Sequence, residues 1–194
     1  MKSRYRLFGH SIHMMIVPFA VGLFGSAAVF DAIAILAGSP AMAEVAYWLI
    51  GGGLIVGMIA APFGFLDWMD TPDGSRAESL GRLHGTGNVV VLLLFWGSWL
   101  IRRPDPAAPE LVATVLSFAA VALTLMTAWM GGELVTRLGV GVSVAAGPNA
   151  SSSLQESSKD DTQAAAERAL PASASDAHFT LAPVEASGSH TTLS

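Results

Sequence analysis

Four apolar runs, each long enough to cross a lipid bilayer, constrain this chain more than any other feature of its sequence. A helix needs about 20 residues to cross the hydrocarbon core of a membrane. Hydrophobic residues make up 52% of the chain and charged residues only 13%, whereas soluble proteins average about 25% charged residues. The sequence therefore predicts an all-α polytopic membrane protein. The four runs are Ile12 to Ala37, Val45 to Trp68, Leu83 to Ile101 and Leu111 to Gly131.

The connections between these runs are short and contain helix-breaking residues. Gly38 and Pro40 follow the first run, Pro72 and Gly74 follow the second, and three prolines separate the third run from the fourth. Short connections make consecutive helices antiparallel neighbours. Residues 1–142 are therefore predicted to form one domain, an antiparallel four-helix transmembrane bundle.

The remaining residues, 143–194, differ in composition from the rest of the chain. They are rich in Ser and Ala, include Pro148, Pro171 and Pro183, and carry most of the net charge of -5. Such a segment cannot bury enough apolar surface to offset the entropy lost on ordering. We expect a disordered, acidic C-terminal tail.

Charge and composition also exclude several classes of function. A net charge of -5 offers no basic surface to a polyanion, which argues against nucleic-acid binding. The chain has no cysteine, so disulfides, thiol catalysis and thiolate ligation of zinc or iron–sulfur clusters are excluded.

Lys and Arg are distributed unequally between the two ends of the predicted bundle. Because cytoplasmic loops are enriched in these residues, the more basic end, which carries both termini, is expected in the cytoplasm. A cleaved signal peptide ending near Ala43 is the alternative for the first run, but the run is longer than the roughly 7–15 apolar residues typical of such a peptide. The basic residues are Lys2, Arg4, Arg6, Arg76, Arg82 and Arg137 at one end, and Arg102 and Arg103 at the other.

Most ionisable residues of the predicted bundle lie at its cytoplasmic end. His10 and His13 are three residues apart, which places them on one face if the first helix begins early enough. His84 opens the third helix, which is diagonal to the first in an up-down bundle. Two imidazoles on diagonal helices are the axial ligands that a b-type haem needs. The sequence thus points to haem held by His84 and either His13 or His10, with the second nitrogen of His84 oriented by Asn88 or by a carboxylate at the same face. Nearby glycines that would leave room for the macrocycle are Gly81, Gly85 and Gly87.

The same three histidines could instead bind a metal ion, together with a carboxylate from Asp67 or Glu133. The alternative is structural. Histidines at helix ends can stay half hydrated in the headgroup region at little cost, and the two carboxylates can pair with Arg82 or Arg137.

Asp31 stands apart from this cluster. It lies eighteen residues beyond His13, which is about 27 Å along a helix. We therefore expect an interfacial carboxylate on the outer side of the membrane, with no part in the site.

Four segments carry a resemblance to a known family: GHSIHMMIVPFAVG at 9–22, GFLDWMDTPDGSRA at 64–77, GRLHGTGNVVVLLLF at 81–95 and GGELVTRLGVGV at 131–142. Together they resemble a family of bacterial membrane proteins known as domain of unknown function 2231. The resemblance implies a four-helix domain of the bacterial cytoplasmic (inner) membrane. Some relatives join it to Rieske iron–sulfur or c-type cytochrome domains, which implies redox partners and a place in electron transfer.

The family pattern also marks individual residues. Ser11 and Met14 depart from it, since prolines often follow the histidines, and Leu138 stands where a fourth histidine is common. The loss of that histidine argues against a multinuclear metal site and leaves the His13 and His84 pair intact. The pattern maps onto His10, His13, Asp67, His84, Asn88, Glu133, Gly139 and Gly141.

Two functional hypotheses follow. The first is electron transfer through b-type haem or a metal ion bound by the histidines. The second is a non-catalytic membrane module that anchors or organises a partner complex, suggested by small residues on the helices and by the acidic tail. A solute or proton carrier is less favoured, since it would need ionisable groups near the midplane, where the runs are apolar.

The topology can be tested with reporter fusions at Ser39 and Thr71, which lie in the first two connections. We expect opposite signals, with the Thr71 fusion cytoplasmic, because the basic residues collect at that end. A cytoplasmic signal from the Ser39 fusion would reverse the orientation.

Overall fold

Four long helices make up most of the residues that the computed structural model describes, which are 5–143 and 146–153. Each is long and apolar enough to cross a membrane, and the predicted all-α polytopic bundle is confirmed. A short antiparallel hairpin of β1 (Arg6–Leu7) and β2 (His10–Ser11) precedes them. Most of the predicted tail, residues 144–145 and 154–194, lies outside the described residues. The helices are α1 (Ile12–Ala37), α2 (Pro40–Met69), α3 (Arg76–Arg102) and α4 (Leu111–Thr136).

The turn between α1 and α2 is made by the breakers seen in the sequence. Gly38 ends α1 in the left-handed conformation, with φ of 58°, and its N–H bonds the carbonyl of Ala34. Pro40 then opens α2, where the missing N–H of proline costs no hydrogen bond.

Helix α3 begins at Arg76, seven residues before the predicted start of the third run at Leu83. The reason is a cap: the hydroxyl of Ser75 accepts the backbone N–H of Glu78 at 3.0 Å. Polar residues therefore form the first turns of a helix whose later turns are apolar.

The helices associate as two antiparallel hairpins, α1 with α2 and α3 with α4. Contacts of α2 with α3 and of α1 with α4 close the bundle, so α1 and α3 are diagonal, as the sequence predicted. Their side chains meet at its centre. The rings of Phe24 and Phe95 stack with centroids 3.9 Å apart and planes within 5°, and both are buried in the main hydrophobic core.

The expectation that Asp31 is an exposed interfacial carboxylate is wrong. Its two oxygens accept hydrogen bonds from Nη1 and Nη2 of Arg102, both at 2.7 Å. Asp31 is 2% exposed and Arg102 is fully buried. A buried charge costs several kcal/mol unless it is well paired, and this bidentate geometry supplies the pairing.

Two serine hydroxyls complete the surroundings of Arg102. Ser98 accepts from Nε and Ser117 accepts from Nη2, each at 3.2 Å. Ser98 also donates to the carbonyl of Ala113 at 2.6 Å and lies 2.9 Å from the hydroxyl of Ser117. The network joins α1, α3 and α4 at the far end of the bundle, which we define as the end that holds the α1–α2 turn.

We expect Arg102→Met to lower the free energy of unfolding by about 3–5 kcal/mol, because it leaves Asp31 buried without its partner. Combining it with Asp31→Leu should recover most of the loss, since an apolar pair replaces the ion pair. Unfolding of the detergent-solubilised protein measures both.

Arg103→Met is the matched control. Arg103 is exposed and contacts the ring of Trp99 at 5.4 Å, so we expect a loss of about 1 kcal/mol or less. Equal effects of the two single substitutions would contradict a structural role for the buried pair.

Candidate functional site

Helix α2 holds the histidine near the start of α1. Nδ1 of His13 lies 3.0 Å from the carbonyl oxygen of Ala60. A carbonyl only accepts, so Nδ1 carries the proton and Nε2 is the basic nitrogen of the neutral ring. The ring lies over Gly64, where a Cβ would come within 2.6 Å of Cε1. Gly64 is one helical turn beyond Ala60, and its missing Cβ gives the imidazole access to that carbonyl.

Helix α4 holds His84 in the same way. Its Nδ1 lies 2.9 Å from the carbonyl oxygen of Thr127, so the proton is again on Nδ1. The ring packs on Gly131, one turn beyond Thr127, where a Cβ would lie 3.1 Å from Cε1. The two hairpins thus hold one histidine each by the same arrangement.

His13 and His84 lie at similar depth near the same end of the bundle. Each is eleven residues before one member of the stacked pair Phe24 and Phe95 on the diagonal helices α1 and α3. The structure therefore places both histidines at the end of the bundle where the sequence expected them.

Asn88 contacts the other nitrogen of His84. Its side-chain amide Nδ2 lies 3.0 Å from Nε2 and donates to it when the ring is neutral, because the one proton of the neutral ring is then on Nδ1. The sequence suggested that Asn88 orients His84. The Thr127 carbonyl does so instead, and Asn88 covers the nitrogen that would face a ligand.

His10 lies apart from the pair. The expectation that it shares a helix face with His13 is wrong, because α1 begins only at Ile12 and His10 belongs to β2. Phe8 and Gly9 have φ of 51° and 83°, which turns the chain into a hairpin rather than a helix. The exposed His10 ring lies 3.1 Å from the carbonyl of Phe8.

Asp67 joins the β1–β2 hairpin to the end of α2. It accepts a hydrogen bond of 2.7 Å from the hydroxyl of Ser11, and Ser11 is buried. This bond anchors the residue that precedes α1.

Glu133 forms surface ion pairs, as the structural alternative expected. Its carboxylate lies 2.9 Å from Arg76 and 4.0 Å from Arg137. Arg82, the other partner considered, pairs instead with Glu78 at 3.4 Å.

Within residues 5–143 and 146–153, no group of three or more His, Cys, Asp or Glu side chains is placed to hold a metal ion. The set of three histidines with Asp67 or Glu133 is therefore not assembled in the structure. Of the three glycines suggested to leave room, Gly81 packs on Trp68, Gly87 packs on Thr127, and Gly85 borders open space.

The fold and the site define a polytopic helical membrane protein with two histidines near one end of its bundle, each held by a backbone carbonyl of a neighbouring helix. Residues 9–144 match a family model described as a predicted membrane protein, domain of unknown function 2231. The match covers more than half of the chain, so the protein belongs to this family and the resemblance is confirmed. No curated protein and no solved structure matches the chain.

Sequence reasoning missed the residues that hold the histidines. The carbonyls of Ala60 and Thr127 carry no sequence signature of their own. A signal was nevertheless present, because Gly64 and Gly131 each open one of the four segments that resemble the family. A glycine on the partner helix at the depth of a histidine marks where an imidazole can reach the backbone.

We expect Gly64→Ala to lower the free energy of unfolding by about 1–3 kcal/mol, because the new Cβ forces the His13 ring from its place. Gly85→Ala is the control. A Cβ there meets nothing within 4 Å, so this substitution should be neutral or stabilising by up to about 1 kcal/mol. Thermal unfolding in detergent compares them, and an equal loss in both would contradict the close packing at Gly64.

Proposed function

We propose that this protein is an electron-transfer component of the membrane that binds b-type haem through His13 and His84. The observation that carries the proposal is the matched pair of imidazoles. Each donates Nδ1–H to a carbonyl of the partner helix, so Nε2 is the nitrogen that would bind a metal. Histidines that ligate metals almost always make such a bond through their other nitrogen.

Imidazole is a ligand type that haem iron accepts, and His13 and His84 would be the residues that hold the haem, one from each of two diagonal helices. A bound haem would supply one-electron redox chemistry, and the protein would supply orientation and a dry environment. Ligation requires the Asn88 amide to leave Nε2 of His84, which is a local side-chain rotation. A metal ion on the same two nitrogens is the smaller variant of this proposal.

The proposal extends to location and partners. The burial of Arg102 leaves Arg103 as the one Lys or Arg exposed at the far end among the described residues. The excess of basic residues at the other end is therefore larger than the sequence count indicates. This favours a bacterial cytoplasmic membrane location with both termini in the cytoplasm. Redox partners of the Rieske or c-type cytochrome class, implied by the family resemblance, belong to the same proposal.

One contact favours a second candidate function, a non-catalytic module that anchors or organises a partner complex. Asn88 donates to Nε2 of His84, and the Thr127 carbonyl accepts from Nδ1. Both ring nitrogens of His84 thus have partners within the protein, as in a histidine that serves packing alone.

A visible absorption spectrum distinguishes the two. The full-length protein is purified in detergent from cells supplied with haem precursor and transition metals, then measured oxidised and reduced, with metal analysis of the same sample. We expect a Soret band and an α band that sharpens on reduction. His84→Gln and His13→Gln should lose both bands, whereas His10→Ala should keep them, because His10 lies on the exposed hairpin.

Glutamine is chosen because its amide can still donate to the carbonyls of Ala60 and Thr127, so the folded bundle is retained while the ligand is removed. Thermal unfolding of each variant checks this. A wild-type protein with neither chromophore nor stoichiometric metal would contradict the haem proposal and favour the organising module. Loss of the bands in His10→Ala would contradict the choice of ligand pair.

A further inference from the structure

Two pairs of facing side chains between α1 and α3 join positions with one common spacing. The ion pair of Asp31 and Arg102 joins residues 71 apart in the chain, and the stacked rings of Phe24 and Phe95 have the same separation. At two depths of the bundle, therefore, a side chain of α1 meets the side chain at the corresponding position of α3. His13 and His84 are also 71 apart, and each donates to a carbonyl of the next helix in its own helical hairpin.

Most buried positions of the two helical hairpins correspond in the same way. With the offset of 71 residues, four of the five buried positions of α1 match buried positions of α3. With a constant offset of 67, as from Gly64 to Gly131, five of the seven buried positions of α2 match those of α4. The first set is Ala20 with Val91, Phe24 with Phe95, Ala27 with Ser98 and Asp31 with Arg102. The second set is Ala46 with Ala113, Tyr47 with Thr114, Ile50 with Ser117, Gly53 with Ala120 and Ala60 with Thr127.

When two like units associate about a two-fold axis, a residue near the axis meets its own equivalent in the partner. The two facing pairs have this property. We propose that the bundle is an internal pseudo-dimer of two equivalent hairpins, and that the Asp31–Arg102 pair makes each hairpin bind the other rather than a second copy of itself. This proposal does not depend on any cofactor.

The charge pair is what distinguishes the two possible kinds of association. The phenylalanine stack is the same in every pairing, because both hairpins present Phe at that position. An α1–α2 hairpin placed against its own copy would bury Asp31 against Asp31, and two α3–α4 hairpins would bury Arg102 against Arg102. Juxtaposed like charges are strongly unfavourable, so the complementary pairing is selected.

The surroundings of the arginine make the equivalence testable. Arg102 bonds the hydroxyls of Ser98 and Ser117, whose equivalents in the first hairpin are Ala27 and Ile50. All four positions are fully buried. If the hairpins are equivalent, an arginine at position 31 should be accommodated when the two serines move with it.

The test compares full-length variants by the monodisperse peak in size-exclusion chromatography and by the thermal midpoint in detergent. Asp31→Arg and Arg102→Asp alone should lose the peak, because each buries like charges. The exchange of both should recover part of it. Adding Ala27→Ser, Ile50→Ser, Ser98→Ala and Ser117→Ile should raise recovery further, because the new arginine then regains its hydroxyl partners.

The matched control carries the same exchange of Asp31 and Arg102 and the same Ser98→Ala and Ser117→Ile substitutions. Its new serines stand at buried but non-equivalent positions, Ala28→Ser and Leu54→Ser. It should recover less than the equivalent placement. The proposal is overturned if the control recovers as much, or if the charge exchange is no better than the single variants.

A second measurement leaves the buried network intact. The chain has no native cysteine, so spin labels can be placed at two pairs of exposed positions, Phe19→Cys with Leu100→Cys and Val29→Cys with Val90→Cys. Phe19 corresponds to Val90 and Val29 to Leu100, and all four are exposed. A two-fold axis makes the two distances equal. Clearly different distances would overturn the proposed equivalence.

Discussion

The bidentate pairing of Asp31 with Arg102 is the interaction on which the arrangement of the helices most depends. The carboxylate and the guanidinium must both find hydrogen-bond partners within the protein, because an unpaired charge in an apolar interior is far more costly than a broken surface contact. Arg102 meets this demand with Asp31 on α1, Ser98 on its own helix and Ser117 on α4. A shift of α1 by one residue would rotate Asp31 by about 100° and remove it from the network. Compared with an apolar pair of similar volume, the ion pair adds little net stability. We infer that its role is to favour one register of α1 against α3 and α4.

A second constraint acts near the other end of the bundle, through the backbone rather than through charge. A helical carbonyl already accepts the N–H four residues on, and its second lone pair is accessible only where side chains leave room. Gly64 and Gly131 leave that room one turn beyond Ala60 and Thr127. His13 and His84 are thereby set to the same tautomer by two different helices. Helix α1 is thus tied at both ends, by His13 to α2 and by Asp31 to α3.

The sequence predicted the helices well because the length of an apolar run is a direct consequence of bilayer thickness. The first run, Ile12 to Ala37, agrees with α1 at both ends. The sequence did not predict the contact between Asp31 and Arg102. The position of a residue along its own helix does not say which side chain of another helix, 71 residues away, lies opposite. The sequence also did not predict that His10 lies outside α1, because a left-handed turn at Phe8 and Gly9 precedes the helix.

The pseudo-symmetry was hidden for a related reason. Equivalent positions share burial rather than identity, since a two-fold interface requires matching shape and accepts complementary chemistry. Ser98 and Ser117 both accept hydrogen bonds from Arg102. Their equivalents in the first helical hairpin, Ala27 and Ile50, are apolar. His13 with His84 and Phe24 with Phe95 are retained as identical pairs, but two such pairs in long apolar runs are too few to reveal a repeat.

These two constraints also bear on what the bundle can do. A carrier needs an ionisable group that is free to change its charge or partner within the membrane, and both oxygens of Asp31 are held by Arg102. The two histidines are different, because bonds to backbone carbonyls already fix both rings. In the proposed haem site these rings would be oriented before binding, and a site whose ligands are already oriented loses little entropy when it binds. The register that the ion pair favours at the far end would serve that proposed site, because a bundle of loosely registered helices could not keep two imidazoles at one depth.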